Sequence, residues 1–87
     1  MFTERERPQI FHLIGAIQDR ITKDPELAPA EREEIARDIE SLRQQMNKRV
    51  PNLSAVAAIL EPMGRIASVS AQVAMLIKNL YSSGSSQ

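Results

Sequence analysis

The first half of the chain carries two stripes of apolar residues at helical spacing. In the first stripe, isoleucine recurs at spacings of four, three and four residues, at Ile10, Ile14, Ile17 and Ile21. That spacing marks one face of an α-helix. Pro8 suits the first turn of this helix, because its missing N–H would be unpaired there. Pro25 and Pro29 each disfavour helix at the residue before them, so we predict a helix over 8–23 followed by a tight connector.

The second stripe predicts a second helix over 29–48. Its apolar positions again follow four, three, four spacing, at Ile35, Ile39, Leu42 and Met46. Almost every other position is charged or carries an amide, with acidic residues near the start and basic residues near the end, as the helix macrodipole favours. Such a helix packs one face against a core and leaves the rest in water.

The last part of the chain differs in character. Pro51 ends the second helix and Asn52 is a good N-cap, so a third helix is predicted over 53–81. Between Leu53 and Leu80 the charged residues are Glu61, Arg65 and Lys78. Pro62 interrupts the hydrogen-bond ladder and Gly64 lowers helix propensity, which predicts a kink or split near Pro62.

Together these patterns predict an all-α protein, a compact three-helix bundle with antiparallel neighbours. A single helical domain is expected over 1–81, followed by a flexible Ser/Gly tail over 82–87. The predicted core consists of apolar positions from all three helices: Ile10, Ile14, Ile17, Ile21, Ile35, Ile39, Leu42, Met46, Ile59, Ile66, Val73 and Leu80.

Composition argues against catalysis and against nucleic-acid binding. The 87 residues include no Cys and one His, so we expect no catalytic residues, no metal site and no cofactor. Eleven Lys and Arg balance eleven Asp and Glu, which leaves no basic field for nucleic acid. His12 is interpreted as a residue at the edge of the packed face, and the carboxylates of the second helix as a solvated surface. The chain is therefore not expected to be an enzyme.

The third helix provides the main functional signal, because it is apolar on every side. Two other helices cannot cover it completely, since one of them offers only a narrow stripe. Small residues four apart let another backbone approach closely. The predicted interaction residues combine these small positions with apolar neighbours: Gly64, Ala67, Ser68, Val69, Ser70, Ala71, Ala74 and Leu76.

Three occupants of this surface are considered. The favoured one is protein, either further copies in a homo-oligomer or a partner effector. Membrane contact is the alternative, in which the apolar third helix perturbs or touches a bilayer; the uncharged run over 66–77 is shorter than the roughly 20 residues that span one. In the third, a monomeric bundle simply tolerates an exposed patch.

One resemblance extends over 21–80. A first amphipathic helix ending in Ile21-Thr-Lys-Asp-Pro25, an acidic-to-basic helix over 31–49, the Pro51-Asn52 turn and an Ala/Val/Ile-rich last helix follow one another. This layout resembles small helical adaptor domains associated with effectors in bacterial conflict and defence systems. The resemblance implies a noncatalytic role in binding a like domain or an effector.

A charged N-terminal stretch without a signal-peptide pattern makes a cytoplasmic location the expectation.

Overall fold

Four α-helices, preceded by one short 3₁₀ turn, make up the described part of the chain. The computed structural model describes residues 4–82, with the 3₁₀ turn at Glu4–Glu6. The helices are α1 (Arg7–Lys23), α2 (Pro29–Met46), α3 (Leu53–Met63) and α4 (Ser70–Ser82). Within residues 4–82 there is no strand, which confirms the all-α prediction. Of the predicted Ser/Gly tail over 82–87, Ser82 is instead the last residue of α4, and 83–87 lie outside the described residues.

The predicted starts of the helices agree closely with the structure. Pro8 lies in the first turn of α1, and Pro29 is the first residue of α2. Asn52 caps α3, since its Oδ1 accepts a hydrogen bond of 3.2 Å from the backbone N–H of Ala55. The Glu31 side chain accepts from the backbone N–H of Ala28 at 3.0 Å and so secures the start of α2.

The third predicted helix is two helices, so the three-helix count was wrong. Pro62 is accommodated inside the last turn of α3, and the chain leaves the helix only after Met63. The turn 64–69 then reverses the chain, with Gly64 donating to the carbonyls of Leu60 and Glu61. The predicted break is thus present, but it falls after Pro62, and it is a full reversal rather than a kink.

Side-chain contacts at both ends show that neighbouring helices run antiparallel. A guanidinium N–H of Arg7, at the start of α1, donates to the carbonyl of Met46 at the end of α2. At the other end of the bundle, Ser68 beside α4 contacts Asp24 beside α1. Helix α1 packs on α2 and α4, and α3 packs on the same two helices. The four helices therefore form a ring in chain order.

All four helices contribute to one buried core. Nine of the twelve predicted core residues are buried, whereas Ile35, Ile59 and Ile66 are only partly buried. The prediction missed six buried residues, namely Leu13, Val56, Leu60, Met63, Val69 and Leu76. Five of these six lie between 53 and 80, because the predicted stripe assumed one continuous helix, and the turn 64–69 changes which face of the chain points inward.

Candidate interaction surface

The outward side of α4 is almost free of charge. Ala71, Ala74, Met75 and Lys78 are exposed at spacings of three and four residues, so they lie on one face of the helix. Met75 is 51% exposed and Tyr81, near the end of the helix, is 43% exposed. Lys78 is the one charged residue of this face, which otherwise consists of two alanines and a methionine.

The outward side of α3 continues the same character. Its exposed positions are Ser54, Ala57, Ala58, Glu61 and Pro62. Glu61 is paired with Arg65 across 3.6 Å, so its charge is partly compensated. The hydroxyl of Tyr81 donates to the carbonyl of Leu53 at 2.9 Å, which fastens the end of α4 beside the start of α3. We give the name small-residue surface to six of the exposed uncharged residues of the two helices: Ser54, Ala57, Ala58, Ala71, Ala74 and Met75.

Helix α2, which does not pack on α4, has the opposite surface. Many of its exposed side chains are acidic or basic: Glu31, Glu33, Glu34, Arg37, Glu40 and Lys48, the last lying just beyond its end. Glu33 and Arg37 form an ion pair of 3.8 Å between two exposed side chains, which contributes little to stability. The molecule thus has a charged side on α2 and a nearly uncharged side on α3 and α4.

The structure divides the eight predicted interaction residues into three groups. Ala67, Ser70, Ala71 and Ala74 are exposed, as an interaction surface requires, while Gly64 and Ser68 are partly buried. Val69 and Leu76 are fully buried in the chain's own core. Those two belong to the packing of the monomer, because both lie in its core cluster, and they are not part of the exposed face.

A polar cluster at one end of the bundle was missed by sequence reasoning. The Asp24 carboxylate accepts from the Ser68 hydroxyl at 2.8 Å and from the backbone N–H of Glu26 at 2.9 Å. The Arg32 guanidinium donates to the Asp24 carbonyl at 3.0 Å. Asp-Pro within a connector could have indicated the local turn. Nothing in the sequence indicated Ser68 as the partner of Asp24, since 44 positions separate them.

The surroundings of Asp24 favour its ionised form. The hydrogen bond from Ser68 holds the pKa of Asp24 below its ordinary value, and the Glu26 N–H and the nearby Arg32 charge act in the same direction. Partial desolvation opposes them but does not prevail. The carboxylate therefore stays charged at neutral pH and joins the connector 24–28 to the turn 64–69.

Shallow grooves open on the surface of the described chain. One of about 550 Å³ lies between α1 and α2 and includes Ile21, Ala36 and Ile39. A second groove of about 530 Å³ lies beside the Asp24 cluster, and a third of about 220 Å³ lies between α2 and the end of α3. His12 is exposed on α1. Over residues 4–82, no three His, Asp or Glu side chains converge in a metal-binding group.

Comparison with known proteins does not identify a family. No family model, curated protein or solved structure matches the chain. Within residues 4–82, every helix is too short or too polar to cross a bilayer.

Proposed function

We propose that this protein is a noncatalytic interaction module that self-associates through the small-residue surface of α3 and α4. The observation that carries the proposal is the division of the exposed surface into a charged side on α2 and a nearly uncharged side on α3 and α4. Depletion of charge with retention of apolar side chains is typical of the centre of protein interfaces. Met75, which is 51% exposed, is a residue type enriched at interfaces, and the two alanines beside it carry no charge.

A second copy of the chain is the proposed occupant. Ala71 and Ala74 leave room for the backbone of another helix to approach, and a twofold interface places the same patch on both partners. If two α4 helices cross antiparallel at Ala74, the two Lys78 residues lie about 12 Å apart along the axis. That separation exceeds the Debye length of about 8 Å at physiological salt, so the one charge of the face does not oppose pairing.

The size of the surface predicts weak association. Helix α4 is about 20 Å long, and two adjacent helices present a face roughly as wide. The resulting patch of about 400 Å² is half of the roughly 800 Å² per partner found in standard interfaces. We therefore expect a dimer that forms in the micromolar to millimolar range and separates rapidly on dilution.

The proposal is tested by sedimentation velocity from about 10 μM to about 1 mM. Ala71→Arg places a long charged side chain in the centre of the surface and is expected to lower the association constant at least about tenfold. Ala36→Arg, an equivalent exposed alanine on α2, is the matched control and should leave association unchanged. Both variants should keep wild-type helix content, because both alanines are exposed.

The wild-type protein and the same variants also distinguish other occupants of the surface. A wild-type protein that stays monomeric at about 1 mM would rule out self-association. Vesicle co-sedimentation abolished by Ala71→Arg would instead favour the membrane as occupant. The resemblance to adaptor domains of bacterial defence proteins supports the general role of docking, with an effector as the alternative protein partner.

A further inference from the structure

The turn 64–69 has the backbone and composition of an interrupted helix. Gly64 has φ −65° and ψ −13°, which is right-handed helical geometry that any residue adopts. Arg65 donates to Pro62, Ile66 to Met63 and Val69 to Ile66, the three-residue pattern of a 3₁₀ turn. The residues over 65–69 are Arg, Ile, Ala, Ser and Val, without proline or glycine. Changes in a few dihedral angles would join α3 and α4.

The two helices could not serve one core if they were joined. At 100° per residue, the buried positions of α3 (Val56, Leu60 and Met63) and those of α4 (Val73, Leu76 and Leu80) point roughly 130° apart in a continuous helix. In the monomer the turn removes this mismatch by folding α4 back. In a joined helix, α4 would lie away from α1 of its own chain. Its buried residues would then need an α1 surface from another molecule to cover them.

We propose that this surface is supplied by a second copy, so that the protein exchanges α4 in a domain-swapped dimer with the turn 64–69 as its hinge. Each α4 would then pack on α1 of the other copy through the contacts it makes in the monomer, which is why exchange of identical elements costs little. The swap is independent of the small-residue surface, because the exposed face of α4 remains exposed in both forms.

The Asp24 cluster acts against the exchange. The hydrogen bond from Ser68 to Asp24 holds the turn against the connector 24–28, and a joined helix would carry Ser68 away from that position. In the swapped form this hydrogen bond would be lost, whereas the core contacts of α4 would be kept. The bond therefore biases the equilibrium toward the monomer without contributing to the dimer.

A disulfide across the turn tests the hinge directly. The chain contains no Cys, so two introduced Cys residues have no native Cys to pair with. A Cβ built on Gly64 lies 3.6 Å from Cγ1 of Val73, so Gly64→Cys and Val73→Cys would place two sulfur-bearing side chains in contact across the turn, where they can be oxidised to a bridge. The protein is unfolded, refolded at about 1 mM and sized after dilution. We expect a persistent dimer from wild type and from the reduced variant, and monomer alone from the oxidised variant. An equal dimer fraction with the bridge formed would overturn the proposal.

Ser68→Ala tests the effect of the hydrogen bond between Ser68 and Asp24 without altering the core. Removing one hydrogen bond to a charged group from each hinge is expected to raise the dimer-to-monomer ratio about tenfold or more. Asp24→Asn is the conservative control, because its side-chain oxygen can still accept from Ser68, and it should raise the ratio less. If Ser68→Ala yields no dimer after refolding at about 1 mM, the exchange does not occur.

Hydrogen exchange separates the swapped dimer from the side-by-side dimer of the proposed function. Within the described chain, the amides of Ala67 and Ser68 donate no hydrogen bond, but in a joined helix they would lie in its interior. We expect slow exchange at these amides in the refolded dimer, slow dissociation on dilution and no effect of Ala71→Arg. Fast exchange there, or a dimer abolished by Ala71→Arg, would contradict the swap and favour the small-residue surface instead.

Discussion

Asp24 shows how one residue acquires its role from tertiary contacts. It is 9% exposed and is the buried charged residue of the described core. The sequence places it at the end of a helix before a proline, and that expectation was correct. The structure adds Arg32 on α2, eight residues along the chain, and Ser68 on the turn 64–69, which is 44 residues away.

Acid is expected to weaken the fold through Asp24. Its pKa in the folded protein lies below the ordinary value near 3.8, so the folded state binds this proton less tightly than the unfolded state. The stabilisation is fully present above the unfolded pKa and is lost as pH falls toward the folded pKa. Thermal unfolding between about pH 5 and about pH 2.5 should therefore show a larger loss of Tm for wild type than for Asp24→Asn. Equal losses would show that the carboxylate contributes nothing specific.

Helix α1 contains a glycine, Gly15, in its middle, where glycine lowers helix stability relative to alanine. A Cβ added at Gly15 meets nothing within 4 Å, so alanine fits there without any rearrangement. Gly15→Ala should raise the free energy of unfolding by about 1 kcal/mol, because alanine loses less backbone entropy on folding. Chemical denaturation would measure the gain.

Gly64→Ala is the matched control for that substitution. Its Cβ would lie 3.4 Å from the Glu61 carbonyl oxygen and close to Val73, which are ordinary contacts, but Gly64 is the C-cap of α3, where the propensity gain of a helix interior is only partly obtained. We expect Gly64→Ala to stabilise clearly less than Gly15→Ala. A larger gain at Gly64 would mean that the turn is looser than its contacts indicate.

Elements differ in how well their sequence predicts them. Helices α1 and α2 were predicted with boundaries correct to within two residues, because each has one apolar stripe and proline near its start. The region 53–81 has apolar residues on every side, so periodicity alone could not select the buried face. Ile59 and Ile66 were expected in the core and are only partly buried, because α3 buries Val56, Leu60 and Met63 instead and Ile66 lies in the turn 64–69.

For the whole molecule, stability depends on a core shared by four short helices. A chain of this size is stable by only about 4 to 13 kcal/mol. Ile39 on α2 is 1% exposed, so Ile39→Ala should cost about 2 to 5 kcal/mol. Ile59, equal to it in the sequence pattern, is partly buried, and Ile59→Ala should cost clearly less. Urea denaturation of the two variants compares them, and equal losses would contradict the assigned packing.

The sequence by itself determined the helical class, three of the four helix starts and most of the core contributed by α1 and α2, because these depend on local periodicity, proline positions and caps. The reversal at 64–69, the burial of Val69 and Leu76 and the pairing of Asp24 with Ser68 were decided only by tertiary structure. Each depends on contacts between distant segments that compete with local helix propensity. The uncharged side of α3 and α4 likewise became visible only once the turn had fixed which of their apolar residues point inward.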